Sequence, residues 1–187
     1  MANSRNRPAS YADLYDVPDN QVGEIIDGEL FATPRPAVPH ANAASLLGGM
    51  LIDPYRRGIG GPGGWIILDE PELHFGDDVL VPDLAGWRRE RFSSVPKGTV
   101  GIEVVPDWVC EVLSPSTARL DRARKLPLYA RERAAHAWFI DPIAQTLEVM
   151  RLDGERWTLL ATFAGDARVK AEPFDAIELD LGVLWTL

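Results

Sequence analysis

The sequence predicts an α/β fold, a mixed β-sheet flanked by helices, with a β-hairpin towards each end. Three observations carry that expectation. Short apolar runs of strand length alternate with two longer stretches of helical character. Two Asp-Gly pairs, Asp27-Gly28 and Asp153-Gly154, sit between alternating residues as hairpin turns do. The run WVCEVL at 108–113 is apolar on both alternating sets of positions except for one acid, as a strand covered on both faces would be. At 187 residues a single domain, 1–187, is the simplest division, because that length buries a substantial core.

The elements follow in order. Residues 1–10 read as a flexible arm. SYADLYDVP offers one helical turn, with Ser10 as N-cap and Asp13 three residues on. GEIIDGELFATP is a hairpin of 24–26 and 29–32. From Pro36 a helix is expected, with Ala43, Leu46, Leu47, Met50 and Leu51 at spacings of three and four and Arg56 and Arg57 at its end. GIGGPGG is a loop; a phosphate-cradling glycine loop would open a helix with Lys-Ser or Lys-Thr, whereas a strand, 65–68, follows here. Strands are expected at 80–87, 108–113 and 137–140, which together form the sheet core, with a helix at 118–133 broken near Pro127. QTLEVMRLDGERWTLLATF is the second hairpin, and AIELDLGVLW closes the chain.

Composition narrows the function classes. No apolar run approaches the ~20 residues of a membrane span. The polar start MANSRNRPAS has no apolar segment of a signal peptide, so a cytoplasmic location is expected. One cysteine excludes an internal disulfide framework, and its apolar surroundings suggest an inert buried thiol. A net charge of −9 argues against a general nucleic-acid coat. The charge is uneven, however. Residues 117–133 hold six basic side chains against two acidic ones, a local +4 that leaves −13 elsewhere. That segment is either a solvated helix face laced with ion pairs or a basic rim beside an acidic pocket.

The chemistry lies in two acids. Glu111 interrupts an apolar run, where desolvation penalises its charge unless a partner offsets it. Asp83, after Val81-Pro82, precedes another apolar run. On adjacent strands, which lie ~4.8 Å apart, the two carboxylates would repel unless a cation lay between them. Mg²⁺ takes oxygen ligands and commonly uses one or two protein carboxylates with waters and substrate phosphate. Asp107 is a poorer partner for Glu111: four residues along one strand is ~13 Å. A cation near a reacting phosphate would also help, yet the residue two beyond Glu111 is Leu113. Lys125, in the helix after SPST, is the nearest alternative; an i,i+4 pair with Asp121 is the plainer reading of it, and both can hold, since Asp121 could orient the ammonium. His40 could contact a metal-bound water or a phosphate, or simply make a local hydrogen bond at its helix start. His74 and His136 read as structural, no zinc-type Cys/His spacing occurs, and Ser114 and Ser116 read as helix caps.

VPDL with Asp83, PDWVCEVLSPST with Glu111, DRARKLPLYARE with Lys125, HAWFIDP, and the opening GEIIDGEL…PRPAVPHANAASLL together resemble the Uma-two family. These are restriction-endonuclease-like proteins of the PD-(D/E)xK nuclease superfamily. The resemblance runs from about residue 22 to 187. It implies a restriction-endonuclease-like mixed sheet flanked by helices, Asp83 and Glu111 binding Mg²⁺ or Mn²⁺, and a motif lysine moved into the next helix, where Lys125 stands. The superfamily's acid on the first helix has no counterpart between Pro39 and Ile52; Glu29 or His40 is expected to take the supporting place.

Two functions of different classes follow. In the first the protein is a metal-dependent DNA endonuclease: Asp83 and Glu111 hold the metal, Lys125 stabilises the transition state, and Arg119, Arg122 and Arg124 contact neighbouring phosphates. In the second it is a catalytically inactive module of the same fold, a homodimer or a partner-binding subunit, which the acidic composition and the missing helix acid favour. A carboxylate-pair glycosidase fits poorly, because the lysine suits phosphate chemistry and no aromatic sugar platform is evident.

Overall fold

The computed structural model describes residues 7–92 and 98–186. Of the expected arm, 1–6 lie outside the described residues, as does 93–97 in the loop before the central strand. Residues 7–10 are tied down: the Ala9 amide donates to the Gly28 carbonyl at 2.7 Å, and Arg7 pairs with Asp13. The helical turn α1 (Tyr11–Leu14) starts at Ser10 with the expected Ser10/Asp13 capping box. The hairpin of β1 (Gln21–Ile26) and β2 (Glu29–Pro34) turns through Asp27 and Gly28, whose φ values of 52° and 76° give the left-handed pair a two-residue turn needs. Helix α2 (Val38–Leu51) runs on into a π-helical turn, Ile52–Arg57.

Next come β3 (Trp65–Asp69), β4 (Leu73–Phe75), β5 (Asp78–Leu80), β6 (Leu84–Arg88) and β7 (Trp108–Val112). The single strand expected at 80–87 is therefore two strands, and they belong to different sheets. Pro82, between them, has no N–H to give a ladder. Strand β5 joins a four-stranded sheet in the order β2-β1-β5-β4. Strand β6 joins the main sheet, completed by β8 (His136–Asp141), β9 (Thr146–Asp153) and β10 (Arg156–Ala164) in the order β10-β9-β8-β7-β6-β3. Within that sheet β6 and β7 are antiparallel, and β7 with β8 is the parallel pair. A parallel pair needs a crossover. It is supplied by α3 (Ala118–Leu120), a π-helical turn at Asp121–Lys125, and α4 (Leu126–Arg131), which begins beside Pro127. The chain ends with a small ladder of β11 (Arg168–Val169) and β12 (Leu179–Asp180), then a 3₁₀ turn, Leu181–Trp185.

Every residue of β7 is buried, as its apolar run requires. Trp108, Cys110 and Val112 face α2 with Leu47, Leu51, Trp138 and Phe174, whereas Val109 and Leu113 face Leu128, Tyr129, Trp87 and Phe139. Glu111 shares the alternation of Val109 and Leu113, so it points towards the crossover helix. Gly86 is required where β6 passes between indoles: a Cβ there would sit 3.1 Å from Trp108 and 3.3 Å from Trp65.

Phe174 anchors the first core. It is fully buried, and its ring lies 4.6–5.6 Å from those of Tyr55, Trp65, Trp108 and Trp138. Phe174→Ala is expected to lower unfolding free energy by ~3–5 kcal/mol. Leu159→Ala, at a position 56% exposed on β10, should change it by less than ~0.5 kcal/mol. Urea unfolding of both variants beside the parent chain checks this; equal losses would mean that the core is not organised around Phe174.

Candidate active site

The break at Pro82 positions the first acid. Asp83 enters β6 one residue ahead of Leu84, which pairs with Cys110, so continuing the register sets Asp83 opposite Glu111. One Asp83 oxygen, Oδ2, accepts the Val112 amide at 2.7 Å and fixes the side chain against the end of β7. The other, Oδ1, lies 3.4 Å from His40 Nε2, in the first turn of α2. His40 and Asp83 both border two adjoining clefts, one running towards the crossover helix and one along α2. The first, of about 340 Å³, is walled by Glu24, Arg35, His40, Asp83, Asp121 and Lys125 among others.

The crossover helix delivers the lysine. Its π-helical turn carries Asp121 and Lys125, with the Leu126 amide reaching back to the Asp121 carbonyl, five residues away. Such single wide turns recur at functional sites because they re-aim side chains within a helix. Lys125 is 3% exposed, and its ammonium lies 2.8 Å from Glu111 Oε1, 3.0 Å from Glu24 Oε1 and 3.7 Å from Asp121 Oδ1. The Val81 carbonyl accepts from it at 3.4 Å. Tyr129, one turn further along, donates its hydroxyl to the same Glu111 oxygen at 2.6 Å. Four carboxylates, Glu24, Asp83, Glu111 and Asp121, thus gather around one ammonium and one imidazole.

The electrostatics follow from burial. Burial pushes the Glu111 carboxyl well above the usual carboxylate range, and Lys125 offsets this only in part. Burial likewise raises Asp121 to about 6 against the pull of Lys125 and the Thr117 hydroxyl. Burial alone would lower Lys125, but Glu111 and Glu24 outweigh it and hold the ammonium charged. His40 is raised despite its burial, because Asp83 favours the imidazolium. Its Nδ1 is buried with no hydrogen-bond partner among the described residues. The Cys110 thiol is driven up by burial, as befits an inert group.

A divalent cation can be tested against this donor set. Among the described residues no three His, Cys, Asp or Glu side chains group as a metal cage. Mg²⁺ does not need one, since one or two carboxylates with waters suffice. The donors are hard oxygens, the pocket holds more carboxylates than cations, and the Asp83 oxygen beside His40 borders the cleft. They fit such an ion. Glu111 is not among the residues lining the cleft, and one of its oxygens is already taken by Lys125 and Tyr129.

The structure sorts the expected site residues. Asp83, Glu111, Lys125 and His40 lie together. Glu29 does not join them: the alternation of β2 turns it outward, 62% exposed in its side chain, to pair with Arg124 at 2.8 Å. The acid of that hairpin in the pocket is Glu24, on β1 beside fully buried Ile25 and Ile26. None of the three expected phosphate contacts lines the cleft. Arg122 forks onto Glu148 and Arg124 onto Glu29, while Arg119 is exposed. Asp107 sits at the far end of β7, accepting the Arg88 amide and pairing with Arg91. Leu113 packs in the second core. Two signals for the missed residues were present. Asp121, Lys125 and Tyr129 stand at i, i+4 and i+8, one helix face. Glu24 adjoins two isoleucines in a strand, the same anomaly that singled out Glu111.

Comparison with known proteins agrees with this architecture. None of the curated proteins matches the chain. A crystal structure described as "a putative nuclease belonging to DUF820", from Anabaena variabilis ATCC 29413, matches with a TM-score of 0.70 at 23% identity. The match covers 95% of this chain and 98% of that one, and it establishes the fold. The model of the Uma2 family, described as "Putative restriction endonuclease", matches residues 8–182. With nearly the whole of its length matched, this chain belongs to the Uma2 family of restriction-endonuclease-like proteins.

Proposed function

We propose that this protein is a divalent-metal-dependent DNA endonuclease. The observation that carries the reading is the meeting of Asp83, Glu111 and Lys125, from three separate elements, beside a cleft rich in carboxylates. Asp83 and Glu111 would hold Mg²⁺ or Mn²⁺, which when bound polarises a phosphate and lowers the pKa of an attacking water. Lys125 faces negative charge developing on the phosphate, and its carboxylate partners keep it protonated for that task. His40, whose imidazolium form Asp83 favours, orients the carboxylate from the α2 side. Arg119 is left to contact a flanking phosphate.

Energetics support a functional rather than a structural origin. Glu111 and Asp121 are both held where burial disfavours their ionised form. A fold selected for stability alone gains little from such groups, and a perturbed carboxylate lining a cleft, as Asp121 does, marks a candidate functional site. A second reading, an inactive module of the same fold, is favoured by one feature: one Glu111 oxygen, Oε1, is already occupied by Lys125 and Tyr129. Calorimetry with Mn²⁺ separates the two, since a pocket that takes up no divalent ion leaves only the inactive module.

Asp83→Asn and Glu111→Gln should each reduce Mn²⁺-dependent nicking of supercoiled DNA by ~100-fold or more while the chain stays folded, and Lys125→Met by ~10²–10³-fold. Nicking by all three at the parent rate would remove the endonuclease reading. Asp121 supplies a pH test. Its carboxyl binds a proton more tightly folded, at about 6, than unfolded, near 3.8. The stability that protonated Asp121 contributes is thus complete below pH 4 and lost as pH rises through 6. Asp121→Asn should therefore gain on the parent chain by roughly 2–3 kcal/mol between pH 4 and pH 7. Urea melts at the two pH values read this directly, and a constant difference would mean that Asp121 is not buried as described.

A further inference from the structure

Glu24 stands where a side chain can decide what Lys125 does. It is 3% exposed, and its Oε1 accepts the Val81 amide at 2.8 Å and pairs with the Lys125 ammonium at 3.0 Å. The Val81 carbonyl receives the ammonium in turn, at 3.4 Å. The nearest partners of the ammonium are thus two carboxylates, Glu111 and Glu24, paired with it as ions, and the Val81 carbonyl, which accepts a hydrogen bond from it. Two of those partners depend on Glu24: the carboxylate itself, and the carbonyl of Val81, the residue whose amide it holds. Val81 leads through Pro82 into Asp83, so the same contact also sets where the Asp83 segment begins.

We propose that Glu24 is the positioning residue of the site: its carboxylate holds the Lys125 ammonium between Glu111 and the cleft. Without it, the ammonium would be drawn towards Glu111 and Asp121 and away from β1 and the Val81–Asp83 segment. This inference rests on the endonuclease reading for the use made of the ammonium, but not for the position of the ammonium itself. The chemistry distinguishes positioning from mere support. The Val81 amide needs only a hydrogen-bond acceptor, which a glutamine carbonyl supplies equally well. Lys125 needs the negative charge, because its alternatives, Glu111 and Asp121, are both carboxylates.

The test is Glu24→Gln in the full chain, read in two ways. With Mn²⁺ and supercoiled DNA, the nicking rate at saturating DNA should fall ~10–100-fold, as it does when a residue that orients a functional group is lost. The KM for DNA and the Mn²⁺ affinity by calorimetry should stay within about threefold, with the chain still folded at the assay temperature. In NMR of protein carrying ¹⁵N-labelled lysine, the slowly exchanging signal of the buried Lys125 ammonium, assigned by its disappearance in Lys125→Met, should be lost or strongly shifted. Glu24→Ala, which removes the acceptor as well, should show the same kinetic loss with a lower melting temperature. Parent-like nicking with the ammonium signal intact would overturn the proposal. Loss of Mn²⁺ binding would make Glu24 a ligand instead, and unfolding of both variants would reduce it to a structural group. If the parent chain nicks no DNA, the endonuclease reading fails, and the ammonium signal alone still decides whether Glu24 positions Lys125.

Discussion

The site is organised by one buried ammonium. Three carboxylates, each nearly free of solvent, lie within 3.7 Å of Lys125, and a fourth, Asp83, is set against the same strand ends. Remove the ammonium, and Glu24, Glu111 and Asp121 face one another in a buried pocket without the cation they share, a situation that buried acids resolve by taking up protons. Its presence gives β1, β7 and the crossover helix a common reason to meet at one point. The hydrophobic cores pack those elements; the ammonium specifies where they touch.

Topology makes the meeting possible. A parallel β7–β8 pair obliges the chain to cross over the sheet, and the crossover helix lands on the face to which Glu111 points. The antiparallel β6–β7 pair then brings Asp83 to the same end of the sheet where β7 finishes. Pro82 ends one ladder before the other starts, so Asp83 emerges at the seam between two sheets rather than inside either. A side chain inside β6 would have been covered on both faces. At the seam, Asp83 keeps one oxygen anchored and still borders the clefts.

The sequence showed much of this, for identifiable reasons. Glu111 in WVCEVL was conspicuous because desolvation makes an acid rare in a doubly covered strand, and Lys125 because helical spacing permits a return to that strand. The hairpin at Asp27-Gly28 was readable because a two-residue turn tolerates few residue types. What escaped was non-local. Nothing in GEIIDGEL says which of its acids faces inward, since that depends on how β1 docks on β5, and Glu29 was favoured where Glu24 is the one in the pocket. The run 80–87 looked continuous because proline's effect on a ladder depends on whether a neighbour needs its N–H. Arg122 and Arg124 looked like phosphate contacts because their partners, Glu148 and Glu29, lie 26 and 95 residues away in sequence.

Charge balance ties the acidic composition to the proposed chemistry. Among the described arginines around the site, Arg35 pairs with Glu70, Arg122 with Glu148, and Arg124 with Glu29 and Asp27. Paired in this way, they add little to a long-range field, and a net −9 chain does not gather polyanions from a distance. Attraction for a phosphate must then be generated locally. Lys125 cannot generate it alone, because Glu24, Glu111 and Asp121 already over-neutralise it. A divalent ion held by Asp83 and Glu111 would cancel most of that local negative charge and, by sharing Glu111, leave the ammonium less tightly held by it. On the proposed reading, the carboxylates that make this pocket repel phosphate on its own are the same groups that make it receptive once a metal is present.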